Sequence, residues 1–126
     1  MYQFSKAEGE CMLNLAREAI TTLLNTGKPY TCAPESLMAE VREVHAAFVT
    51  LTMDGALRGC IGHIEAIQPL YLDIIENACN AALRDPRFSP VNKAEFENIV
   101  VEVSVMRPFE PFDYASCDAL IEKLTK

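Results

Sequence analysis

The segment Leu57-Arg58-Gly59-Cys60-Ile61-Gly62-His63 gathers a guanidinium, a thiol, an imidazole and two glycines within seven positions. Glycine weakens a strand because it packs nothing and loses much entropy on ordering, so two of them three apart imply a close approach to the main chain. If Asp54-Gly55 forms a two-residue hairpin loop, Leu57 pairs with Thr52, Arg58 with Leu51, Gly59 with Thr50, Cys60 with Val49 and Ile61 with Phe48. Arg58 and Cys60 then share a face. A guanidinium beside a thiol favours the thiolate, which would make Cys60 a nucleophile or redox thiol, with His63 as its base. A plainer reading keeps Cys60 as a small packed residue beside Val49. A further chemistry needs no covalent step: the main-chain amides from Gly59 through Ile61 to Gly62, with Arg58, can hold an anionic group. The same glycines also fit a β-bulge that re-aims the strand.

Asp85-Pro86-Arg87-Phe88-Ser89-Pro90 is a second candidate, because two prolines restrict the backbone around an arginine and an aromatic ring. Asp85 and Arg87 either join a site or pair with each other or with the strand, while Phe88 fills the core. Glu102 either faces solvent or completes a site with Arg58. Cys60 and His63 have a C-x-x-H spacing, but a structural zinc takes four ligands and no second close pair follows, so no metal is assigned. His45 reads as a histidine preceding a strand. The chain has no Gly-rich phosphate loop, no G-x-S-x-G and no H-E-x-x-H, which removes the standard nucleotide and metallopeptidase readings, and no pattern names a cofactor.

The elements that must position these residues are legible in outline. Ser5-Lys6-Ala7-Glu8 has capping-box spacing, and Cys11, Leu15, Ala19 and Leu23 continue one helical stripe until Gly27 and Pro29 stop it. Residues 28–45 carry mixed polarity and read as a loop with a short helical turn between Glu35 and Val44. Ala46 to Met53 and Ala56 to Ile64 are expected as strands around the Asp54-Gly55 turn. Gln68-Pro69 opens a helix with Leu70, Ile74, Ala78 and Ala82 inward, closed at Arg84-Asp85-Pro86. Asn92 and Glu95 predict another short capped helix, Ile99 to Met106 a strand, and Ser116 the cap of a last helix. The order implies an α+β domain, a mostly antiparallel sheet covered by helices, spanning 1–126 as one unit.

Composition narrows the function classes. The 126 residues carry a net charge of −7 with basic residues spread singly, which disfavours nucleic acid as a partner. No apolar run is long enough to cross a bilayer and the start is polar, so no membrane partner is expected and the cytoplasm is the expected location. Five scattered cysteines, an odd number, argue for free thiols.

Taken together, Phe48-Val49-Thr50-Leu51, Gly55-x-Leu57-Arg58-Gly59-Cys60-Ile61-Gly62, Asn77-Ala78, Ala81-Ala82, Asp85-Pro86-Arg87-Phe88-x-Pro90-Val91 and Val101-Glu102-Val103-Ser104-Val105 resemble the AMMECR family. That domain is named for the AMME chromosomal region and is called protein A of the AmmeMemoRadiSam system in microbes. The resemblance runs from the first helix to about Leu124. It implies an α+β fold in two lobes, a functional site at the glycine-cysteine segment, and an activity not yet settled. It also implies company: a Memo-like protein of the extradiol dioxygenase superfamily and a radical SAM enzyme. Family domains usually continue beyond Lys126, so the expectation is a domain incomplete at its carboxyl end, with exposed strand edges or a second copy completing the sheet as a homo-oligomer.

Overall fold

The computed structural model describes residues 4–106 of the chain. Helix α1, Lys6–Thr26, starts at the expected capping box: the Glu8 amide donates to Ser5 Oγ at 3.1 Å, and the Ser5 amide donates to Glu8 Oε1 at 2.8 Å. It ends on Gly27 in the left-handed region, φ +74°, where a side chain would be strained. The following segment holds a 3-10 turn at Pro34–Ser36 and the one-turn helix α2, Ala39–Arg42, as the mixed pattern there suggested. Strands β1, Ala46–Met53, and β2, Ala56–Gly62, form a hairpin on Asp54 and Gly55, both at positive φ. Strand β2 ends two residues before the expected Ile64. Helix α3, Leu70–Leu83, helix α4, Lys93–Phe96, and strand β3, Ile99–Met106, complete the described architecture. The helix expected from Ser116 lies outside the described residues.

The sheet is antiparallel throughout, in the order β2-β1-β3. Helices α1 and α3 pack against each other and against one face, where Ala47, Val49, Leu51, Val101 and Val105 meet Leu15, Ala16, Ala19, Leu70, Ile74 and Ala78. Alternation does the sorting: the β1 residues between these, Phe48 and Thr50, point to the other face. Phe48 is buried there with Ala46 and Met106 in a small second cluster.

The hairpin register corrects one expectation. Leu57 does pair with Thr52, but Gly59 then pairs with Leu51, Cys60 with Thr50 and Ile61 with Val49, because Arg58 bulges out as an extra residue. The reason is burial of charge. Leu51 is fully buried under the helices, so an unbulged pairing would carry Arg58 into the core; the bulge places Gly59 there instead. Only glycine suits that position, since a Cβ on Gly59 would come within 2.3 Å of the Ala81 carbonyl oxygen of α3. Gly62 has a different neighbour: a Cβ there would meet the Phe48 ring at 2.2 Å, so the ring of its cross-strand partner fills the space a side chain would take.

Candidate functional site

Cys60 is 1% exposed, and its Sγ lies 3.2 Å from Thr50 Oγ1 on the sheet face turned away from α1 and α3. Thr50 and Cys60 form a pair whose side chains approach closely because the main-chain groups of Cys60 point outward from β1. Those groups are occupied. The Cys60 amide donates to Asp85 Oδ2 at 3.0 Å, and Arg87 Nη2 donates to the Cys60 carbonyl at 3.3 Å. Asp85 is itself locked to Arg87: its Oδ1 accepts from the Arg87 amide and Nε, both at 3.0 Å, and its Oδ2 from Nη2 at 2.7 Å. Two side chains thus stand where a neighbouring strand would, covering this part of the β2 edge. Burial pushes the Asp85 carboxyl up, but hydrogen bonds from the Arg87 side chain and from the Cys60 and Arg87 amides outweigh it and hold the group below its ordinary value.

Arg58 is placed differently from the sequence expectation. The guanidinium that reaches Cys60 is that of Arg87, while Arg58 is committed to Glu95, with Nε at 3.2 Å from Oε2 and Nη2 at 3.0 Å from Oε1. The hydrogen bond from Arg58 and a second from the Asn92 main chain hold the Glu95 carboxyl below its usual range. Glu95 therefore serves two tasks, capping α4 and receiving the bulged arginine. Phe88 lies beside both cations, 5.9 Å from the Arg58 guanidinium and 5.3 Å from that of Arg87. Arg58 Nη1 is buried and meets no acceptor among the described residues. Glu102 stands exposed opposite Thr50, and Ile61 packs against the core.

His63 lies on the opposite side of the sheet from the Cys60 sulfur, which separates the two groups paired in the nucleophile-and-base reading. Its Nδ1 is 2.7 Å from Asp73 Oδ1 of α3, and the Asn77 carboxamide lies next to it at 3.2 Å. Asp73, 1% exposed, also accepts from the Ala47 amide at 2.8 Å, from Asn77 Nδ2 at 3.1 Å and from Gln68 Nε2 at 2.9 Å. The contact of Nδ1 with this carboxylate fixes the orientation of the ring by the same second-group logic that orients catalytic and metal-binding histidines. His63, Asp73 and Glu76 bring possible ligand atoms within 4.8 Å of one another, but Gln68 Nε2 already bridges the two carboxylates. Glu40, Glu43 and His45 form the other such group among the described residues. Cys60 and His63, on opposite faces, cannot share an ion.

Sequence reasoning missed Asp73, Asn77, Gln68 and the Arg58 partner Glu95. One signal was available: Asp73 and Asn77 are four apart in a helix whose other inward positions are apolar, so they share a buried face.

Comparison with known proteins decides the family. The AMMECR1 profile matches residues 13–125. The chain belongs to the AMMECR1 family. A relative from Methanothermobacter thermautotrophicus is 43% identical over 112 residues, 89% of this chain and 58% of the relative. A Pyrococcus furiosus relative is 44% identical over 115 residues, 87% of this chain and 54% of its own length. The crystal structure of an uncharacterized protein from Pyrococcus horikoshii superposes with a TM-score of 0.80 at 41% identity, covering 85% of this chain and 55% of that one. The chain thus spans about half the length of the AMMECR1 relatives it matches, and the α+β fold with its antiparallel sheet is shared with the solved structure. Among the described residues no helix is long and apolar enough to cross a membrane.

Proposed function

We propose that this AMMECR1 chain is an accessory, binding domain that works with Memo-like and radical SAM proteins, receiving an anionic group of a small ligand or partner at Arg58. The observation that supports it is the unused Arg58 donor. Nε and Nη2 are held by Glu95, whereas Nη1 is buried without an acceptor among the described residues. A buried donor left unmade costs about 1–3 kcal/mol, and a carboxylate or phosphate oxygen brought to Nη1 would remove that cost. The alternative, a Cys60-dependent enzyme, needs an accessible thiolate. A sulfur 1% exposed, with the main chain around it locked by Asp85 and Arg87, gives that reading less support.

Three measurements test this. Inorganic phosphate should raise the melting temperature of the wild-type chain and have little effect on Arg58→Gln; equal shifts in both would remove Arg58 as the anion's receptor. Alkylation of the native protein should label half-buried Cys11, Cys32 and Cys79 well before Cys60. Rapid labelling of Cys60 near neutral pH would instead favour the thiol enzyme. Sizing the chain alone and mixed with a Memo-like or radical SAM protein tests the partner and homo-oligomer expectations in the same series.

A further inference from the structure

A cavity of about 380 Å³ lies away from the Cys60 and Arg58 region, between the end of α1 and the exposed side of α3. Its walls are Leu23, Pro29 and Tyr30 on one side and Leu72 and Ile75 on the other. Along α3 the same cavity is bordered by Glu76, Asn80 and Arg84, spaced four residues apart. At 1.5 Å rise per residue they mark a line of about 12 Å, with an anion at one end, a carboxamide midway and a cation at the other. Most of this polarity is not spent internally. Among the described residues Arg84 has no ion pair, the Asn80 carboxamide has no hydrogen-bond partner, and Glu76 uses one oxygen for Gln68. Cys79 turns its thiol to the Ala19 carbonyl at 3.7 Å, beneath this surface.

We propose that this groove binds a short apolar peptide with free ends, three residues long. Its ammonium group would meet Glu76, its peptide group the Asn80 carboxamide and its carboxylate Arg84, with the side chains against Leu23, Tyr30, Leu72 and Ile75. An extended chain covers about 3.3–3.6 Å per residue, so three residues cover about 10–11 Å of the line of polar groups, a shortfall within the reach of the long Glu76 and Arg84 side chains. The volume lies within the ordinary range of about 300–1,000 Å³ for small-ligand sites. Charge order also fixes direction. The amino end lies toward the start of α3 and the carboxyl end toward its finish.

Trileucine is the probe, titrated calorimetrically into the 126-residue chain alongside its N-acetylated and C-amidated forms, with leucyl-leucine as the shorter control that should bind more weakly. Acetylation and amidation should each weaken binding about tenfold by removing one charge-assisted contact. Glu76→Gln should weaken the free-amine peptide and leave the acetylated form as it is in wild type; Arg84→Gln should do the same for the free carboxylate against the amide. Both replaced residues are exposed, so the fold should tolerate them. Equal binding of free and blocked peptides, or no binding by any of them at millimolar concentration, overturns the proposal.

Discussion

Two buried aspartates solve the same problem in this molecule with different partners. Asp85 receives the Cys60 amide of β2 and Asp73 receives the Ala47 amide of β1, so each carboxylate supplies an acceptor to a sheet main-chain donor. The difference lies in what neutralises them. Asp85 is clasped at both oxygens by Arg87, a permanent cation that also bonds the strand it protects. Asp73 is surrounded by smaller donors from Asn77, Gln68 and His63, of which the His63 side chain remains one-third exposed. The first arrangement behaves as a clasp with one indispensable member. The second is a distributed network in which each donor is partly replaceable, with an imidazole at its surface.

The largest effect should come from the steric fit that places the clasp. Gly59→Ala drives a methyl group into the Ala81 carbonyl, a backbone atom that cannot rotate away, and should cost about 3–4 kcal/mol or prevent folding. Chemical denaturation would check it; a loss under 1 kcal/mol would mean that α3 shifts freely against β2. Next in size is Asp85→Asn, expected to cost about 3 kcal/mol by leaving Arg87 without its carboxylate. This variant also carries the pH test. Because the folded Asp85 carboxyl is held below its ordinary value, its stabilisation is full above the unfolded pKa, about 3.9, and is lost as pH falls through the lower folded value. The gap between wild type and Asp85→Asn should therefore stay constant from neutral pH down to about 4 and narrow below it. A gap that closed between pH 7 and 5 would show that another group carries the effect.

These two regions also mark what the sequence revealed and what it hid. Local chemistry was readable: the capping boxes at Ser5 and Asn92, the Asp54-Gly55 turn, and the pairing of Asp85 with Arg87 as one of the stated alternatives all depend on neighbours within a few positions. The one-residue register slip was not, because it follows from the fit between Gly59 and Ala81, 22 positions apart, and from the burial of Leu51. His63 was singled out for the wrong neighbour. Its link to Asp73 exists only once α3 crosses the end of the hairpin, and a helical aspartate reads as surface until its apolar flanks, Leu70 and Ile74, are known to be buried. Arg58 was likewise singled out as a candidate site cation, but its partner Glu95 lies 37 residues on and was visible only as a capping residue.

The sharpest comparison replaces the donor on each aspartate by the same neutral group. Arg87→Gln should cost about 2 kcal/mol, since Asp85 then keeps two main-chain donors but no cation, and the Cys60 carbonyl loses its contact. His63→Gln should cost about 1 kcal/mol or less, because the Ala47, Asn77 and Gln68 donors still surround Asp73 and the new side chain is partly solvated. Urea denaturation of the two variants against wild type measures both on one scale. If His63→Gln proved the more damaging, the imidazole rather than the surrounding amides would be what holds Asp73 in place. The network at α3 would then be a second clasp, with His63 in the place that Arg87 holds in the first.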